Sequence, residues 1–333
     1  MKNKSWIMFF IFLLILSILI LFYFPEIKKE LGLLKKIQPG WLLAAIGGQF
    51  MTYWLTGMEY LYLLKIFKLP RSPGIKQLSK AAIISLCFNQ TVPSAGISGN
   101  LFYFRFLKRF NISREKILSL IIEELLIYYA SMESFIIFLL CLLRLNCWHS
   151  TPLKNTLLTG MAIYPILGGI ILLINRKGTL RDIYNKVKSI KWFKKKAISN
   201  EEDAYLKETI HLGLLIKNNR DLILKAYLLK LLISFADIFT IYVIFLGLGH
   251  TIPVYIISGA FIGTNIISLL PFAPGALILY ESSMTYLFVS LGIPLSASII
   301  ATLVYRLLSF WLPMPAGTLL YRAWISNKQD TPA

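Results

Sequence analysis

Charge is scarce in this chain, and what there is has one sign in excess. Only 15% of its 333 residues are charged and 56% are hydrophobic, whereas soluble domains carry roughly a quarter charged residues. That balance excludes an ordinary soluble domain and points to a polytopic membrane protein. Strict apolar–polar alternation is also lacking, which argues against a transmembrane β-barrel. Cys87, Cys141 and Cys147 form no C-x-x-C pair and lie in or beside apolar runs, so packing roles are expected rather than a disulfide framework. His149, His211 and His250 are scattered without metal-ligand spacing. No glycine-rich phosphate cradle and no Ser/His/Asp set is present. No metal, no cofactor and no catalytic residue is therefore assigned.

The formal net charge of +19 is not read as a nucleic-acid signal, because the Lys and Arg residues sit in links between apolar runs. There they orient the chain by the positive-inside rule and rest against anionic headgroups.

Apolar runs long enough for helices that cross a core of about 30 Å recur along the length. The expectation is an all-α polytopic membrane protein with about six full transmembrane helices and two re-entrant broken hairpins. Residues 1–333 form one integral domain in this reading. Residues 5–24 read as a retained first helix with its N-terminus inside, since a signal peptide has a shorter apolar core. Further runs follow at 41–67, 117–143, 157–174, 222–247, 254–270, 278–291 and 296–321. Residues 175–221 form a basic cytoplasmic segment, either an amphipathic surface helix or a solvated linker. Both termini are expected in the cytoplasm of a cell (inner or plasma) membrane.

Two segments share a plan. In 41–143 and again in 222–321, a span with one buried acid precedes a short helix broken at Pro and Gly, then a long span. Glu59 and Asp237 are 178 residues apart, as are Pro93 and Pro271. The breaks comprise Pro93, Gly96 and Gly99 in the first unit and Pro271, Pro274 and Gly275 in the second. An odd number of crossings between the unit starts turns the second copy upside down. Opposed broken helices of this kind build substrate sites in secondary transporters.

The run Pro271, Pro274-Gly275, Glu281, Gly292, Tyr305-Arg306, Trp311, Pro313 resembles the C-terminal signature of one family. It is the transmembrane domain of lysylphosphatidylglycerol synthetases and their stand-alone, flippase-like UPF0104 relatives. Asn89, Pro93, Gly96, Gly99 and Arg105 resemble that family's Asn…Pro…Gly…Arg stretch, and the resemblance covers nearly the whole chain. Two places depart from the usual pattern: Gly96-Ile97-Ser98-Gly99-Asn100 and Ala276-Leu277 with Leu279-Tyr280-Glu281. The soluble aminoacyl-transfer domain is not expected here, so lysyl transfer is not carried over.

Glu281 and Arg306 are the leading candidates, either lining a cavity that engages a lipid headgroup or forming a structural ion pair. Arg105 is a candidate phosphate contact or a positive-inside anchor. Glu59 and Asp237 either relay protons or satisfy neighbouring donors. Glu124 is a candidate cavity residue, and its neighbour Glu123 points about 100° away on a helix. Asn89 is a candidate for the cavity or for satisfying the broken backbone. The resemblance and the opposed breaks imply a flippase that moves a phospholipid, an aminoacylated lipid or a glycolipid or polyprenyl lipid. The partners implied are membrane lipids with anionic or zwitterionic headgroups, and a lipid-modifying enzyme made as a separate chain. The alternatives are a non-transporting partner of such an enzyme, or an intramembrane enzyme acting on a lipid headgroup.

Overall fold

A computed structural model of the chain describes residues 38–69, 72–91, 97–145, 151–176, 218–269 and 278–326, and every regular element among them is helical. The expected first helix at 5–24, most of the basic segment 175–221, and Pro93, Gly96, Pro271, Pro274 and Gly275 lie outside the described residues.

The helices are α1 (Pro39–Lys65), α2 (Ile75–Thr91), α3 (Ile97–Lys108), α4 (Arg114–Leu145), α5 (Thr151–Arg176), α6 (Arg220–Gly247), α7 (Val254–Ile267), α8 (Leu279–Ser290), α9 (Leu295–Arg306) and α10 (Pro313–Ser326). A π-helical turn at Leu307–Trp311 joins α9 to α10. Among the described residues, four stretches are long and apolar enough to cross a membrane: Arg114–Arg144, Thr151–Leu172, Arg220–Gly247 and Leu295–Ser326. With 27 residues at 1.5 Å each, α1 is about 40 Å long. Its hydropathy is held down by Gln49, Thr52 and Glu59, which are buried, while Leu43, Phe50, Met51 and Trp54 are exposed. The helix is polar inward and apolar outward, as lipid surroundings require.

The order long, short, short, long occurs twice, with α5 between the copies. Equivalent helices of the two copies begin 179 to 182 residues apart. The turns repeat as well. Lys68 and Gly249 follow α1 and α6 with positive φ, and Asn111 and Gly292 do so after α3 and α8. Both pairs are 181 residues apart. A left-handed residue ends each helix in the manner of a C-terminal cap, and glycine adopts it without a Cβ clash.

The leading helices of the two units run antiparallel along their whole length. Gln38 N donates to Gly247 O, Gln49 meets Asp237, and Glu59 meets Lys230. In the first unit α2 and α3 fold back on each other, with Tyr103 reaching Leu78 O and Gly99 N bonding Asn89. In the second, α8 and α9 do so through Thr285–Thr302. Helix α10 lies antiparallel against α2, bringing Gln90 to Ser309 and Cys87 to Met314.

These paths sort the charges. Lys65, Lys68, Lys76, Lys80, Arg105, Lys108, Arg109, Arg114, Lys116, Arg176, Arg220, Lys225 and Arg322 all fall at one end of the bundle, with Arg144 and Lys154 near the other. Aromatic residues close the basic end. The Arg109 guanidinium stacks 3.4 Å from the Trp324 ring and donates to its carbonyl.

Close helix contacts depend on small residues. A Cβ added at Gly57 would lie 2.9 Å from Ser79 N and 3.1 Å from its Cα, both backbone atoms, whereas one at Gly47 meets nothing within 4 Å. Gly57→Ala is therefore expected to push α1 off α2 and cost about 1–3 kcal/mol. Gly47→Ala should be neutral or stabilising by up to about 1 kcal/mol. Thermal unfolding of the two variants in detergent checks the contrast.

Candidate functional site

Among the described residues, three wholly or partly buried polar groups lie between the helices. The first joins the two units. Lys230, ten residues into α6, places Nζ 2.9 Å from Glu59 Oε2 on α1 and 2.6 Å from Glu124 Oε1 on α4. Its ammonium also lies 5.9 Å from the Tyr128 ring centroid. Glu59 has no exposed surface, and an ion in such a place is tolerated only when paired. One ammonium thus serves two carboxylates. Glu123, next along α4, is buried and its oxygens meet no hydrogen-bond donor among the described residues.

The second group lies about 10 Å further along α6, two turns on. Asp237 Oδ1 accepts from Gln49 Nε2 at 3.3 Å and from Thr52 Oγ1 at 3.5 Å. The Tyr305 hydroxyl is within hydrogen-bonding reach. Its neighbours are neutral donors. Although Glu59 and Asp237 hold related places in the two units, one meets an ammonium and the other meets an amide and hydroxyls.

The third is the pair singled out by the sequence. Arg306 Nε donates to Glu281 Oε1 at 2.6 Å. The guanidinium lies 4.5 Å from the Tyr280 ring centroid and 4.2 Å from that of Phe310, a geometry that favours a cation over aromatic faces. Tyr280 and Tyr305 stack with centroids 6.4 Å apart, linking this pair to Asp237. Glu281 Oε2 meets no donor among the described residues. The Glu281 side chain, 20% exposed, opens into a groove of about 430 Å³ between α8 and α9. Apart from Glu281, Ser282, Thr285 and Thr302, its walls are Tyr286, Val289, Leu295, Ile299 and Leu303. All of that lining comes from α8 and α9.

A backbone irregularity sits beside Arg306. Pro313 has no N–H, so Ser309 O loses the partner an α-helix would supply. The helix widens, and Leu312 N donates to Leu307 O, one residue beyond the α-helical acceptor. The freed carbonyls are taken by the first unit: Gln90 Nε2 donates to Ser309 O at 3.0 Å and Tyr53 Oη to Leu308 O at 3.4 Å. Such π-turns are often found at functional sites.

Asn89 caps the broken hairpin. Its Oδ1 accepts from Gly99 N at 2.7 Å and from Ser98 Oγ at 3.2 Å, satisfying donors in the first turn of α3. Gly99 is required there, because a Cβ would lie 2.6 Å from Ser85 O. Arg105 is exposed in the last turn of α3, within the basic end of the bundle and on a different element from the Glu281–Arg306 pair. The candidates therefore divide: Glu59 joins Glu124, Glu281 joins Arg306, Asp237 adjoins the second pair through Tyr305, and Arg105 joins neither group.

Sequence reasoning missed Lys230, Tyr280 and Tyr305. Lys230 was open to detection as a cation deep inside an apolar run, five residues beyond Lys225. Tyr305 stands beside Arg306 in the family-like signature, but nothing in the sequence sets it against Asp237, and Tyr280 carries no signal that separates it from interfacial aromatics.

Helices long and apolar enough to cross a membrane, with ion pairs buried between them and one pair beside a mostly apolar groove, define a polytopic membrane protein built around internal polar groups. The chain belongs to the lysylphosphatidylglycerol synthase TM region family, which it matches over residues 6–317. It is also similar to a UPF0104 membrane protein of Methanothermobacter thermautotrophicus, 33% identical over 89 residues, covering 27% of this chain and 26% of that protein. The chain thus spans about a quarter of the length of the curated relative it matches. Membership of this family points to a lipid-related role in a membrane.

Removing one partner from the Lys230 group leaves like charges buried together. Lys230→Met is expected to cost about 3–5 kcal/mol, the range for breaking a buried ion pair. Adding Glu59→Gln and Glu124→Gln to it should recover most of that loss. Thermal unfolding of the single and triple variants measures both; a single variant as stable as wild type contradicts the pairing.

Proposed function

We propose that the protein moves a lipid between leaflets, and that the α8–α9 groove is where the lipid enters and is held. The observation that carries this reading is the Glu281–Arg306 pair, set between the first turn of α8 and the last turn of α9, with the partly exposed Glu281 side chain lining a groove that is otherwise mostly apolar. A phospholipid, an aminoacylated lipid or a glycolipid fits such a place. Its amine or hydroxyl groups donate to the Glu281 carboxylate, and its chains lie along Tyr286, Val289, Leu295 and Leu303. Family membership supports a lipid as cargo.

In the same proposal the chain is one integral domain that crosses the membrane six times, at 5–24 and with α1, α4, α5, α6 and the α9–α10 rod. The pairs α2–α3 and α7–α8 are re-entrant hairpins from opposite faces. The basic end is cytoplasmic by the positive-inside rule, which puts both termini there in a cell membrane. Transport, rather than chemistry on the headgroup, is the activity assigned. A separate lipid-modifying enzyme that supplies the substrate is the partner class this implies.

Liposomes containing purified protein, with a headgroup-labelled lipid in one leaflet, test the reading by the rate at which label reaches the other leaflet. Wild type should exceed empty vesicles, with the lipid recovered unmodified. Glu281→Gln and Arg306→Ala should each slow movement about tenfold or more, the equivalent of one charge-assisted hydrogen bond of roughly 1.5–3 kcal/mol. Folded variants that move lipid at the wild-type rate contradict the assignment of this groove.

A further inference from the structure

We propose that Asp237 is a proton-binding site whose protonation drives the lipid movement, a reading that rests on the transport function above. Around this carboxylate, α1 presents Gln49, Thr52 and Tyr53, α8 presents Tyr280 and α9 presents Tyr305. None of these carries a positive charge. The ion pairs among the described residues are Lys230 with Glu59 and Glu124, and Arg306 with Glu281; Asp237 is in none of them. Asp237 is partly buried, and a carboxylate that loses water around it is disfavoured as an ion unless a cation offsets the loss. Glu59 and Glu281 have theirs. Asp237 reaches the same neutrality by taking up a proton.

The surrounding groups fit a proton better than a metal ion. Gln49 Nε2 turns a hydrogen toward the carboxylate, where a sodium ion would need lone pairs, and the Thr52 and Tyr305 hydroxyls can donate to or accept from it. Gln49 supplies a second, independent sign. It is 4% exposed, and its Oε1 meets no donor among the described residues, so the cluster is one hydrogen short. An amide turns over readily. It meets the ionised acid with Nε2 and the protonated acid, whose O–H now donates, with Oε1.

The position gives the proton something to drive. Tyr305 adjoins Asp237 and stacks on Tyr280, whose ring lies 4.5 Å from the Arg306 guanidinium. Arg306 in turn holds Glu281 at the groove. An O–H bond formed on Asp237 with a proton from water on one side removes a negative charge near that pair. Release of the proton to water on the other side restores it.

Two measurements test this separately from the transport function. The first is infrared spectroscopy of purified protein in lipid nanodiscs, titrated with pH and repeated with 13C-labelled aspartate. Asp182, Asp203, Asp221 and Asp330 lie in polar segments, so Asp237 is the aspartate set in an apolar run. A protonated-carboxyl C=O band that shifts with the label, disappears as pH rises and is absent in Asp237→Asn is the expected result. A band that ignores the label, or persists in Asp237→Asn, overturns the proposal; the labelled wild type decides even if that variant fails to fold.

The second is lipid movement in liposomes under an imposed pH gradient. Wild type should move lipid several-fold faster with the gradient than without it, and Tyr305→Phe should lose most of that response. Equal rates with and without the gradient, or a response only to a sodium gradient, overturn the coupling and leave the transport function standing. A titrating Asp237 band in a protein that moves no lipid under any condition overturns that function, and the coupling with it, while the proton site stands.

Discussion

One ammonium group between two carboxylates holds the two halves of this protein together. Lys230 comes from the second unit, and Glu59 and Glu124 come from the first. In a medium that solvates no ion, the three groups have no alternative partners of comparable strength, so the pairing fixes how far α6 slides along α1 and how α4 leans on both. The register set there carries along the seam. It brings Gln49 to Asp237, and Gly48 close enough to α6 that a Cβ would meet Thr240 Oγ1 at 2.5 Å. A seam of small and polar residues is what helix association in lipid selects, because apolar side chains gain nothing by leaving lipid for each other.

The two units share a backbone plan and have diverged in chemistry. Equivalent turns take left-handed residues at the same spacing, yet the groups buried behind them differ. The first unit stabilises its broken hairpin with Asn89 and supplies Gln90 and Tyr53 to the freed carbonyls of the second. The second unit keeps the arginine, the open carboxylate and the groove. Buried polar atoms without a hydrogen-bond partner among the described residues occur in both units, including Gln49 and Glu123 in the first and Glu281 in the second, and of these residues Glu281 lines the groove.

Much of this was legible in the residues. The helical runs, the paired breaks, and Glu281 with Arg306 all follow from the rule that charge and proline are costly in an apolar run. Helix α1 was legible only as a long run, because its polar residues turn inward and lower the average that marks a span. Lys230 escaped because only the register of α6 on α1 shows it facing Glu59. The π-turn leaves Pro313 as its trace, but which carbonyl it frees and which donor reaches it depend on the packing of α10 against α2. Local breaks are written in composition. Pairings between distant helices are written in register, which composition does not carry.

The central claim is that a lipid headgroup leaves the membrane surface and sits at mid-depth against Glu281 and Arg306. The most direct measurement is a cryo-EM map of the protein in nanodiscs made with native lipid. The account predicts lipid-shaped density in the α8–α9 groove, its polar end against the Glu281 carboxylate and its chains along Tyr286, Val289 and Leu303. A groove holding acyl chains alone, with every headgroup at the membrane surface, would contradict it.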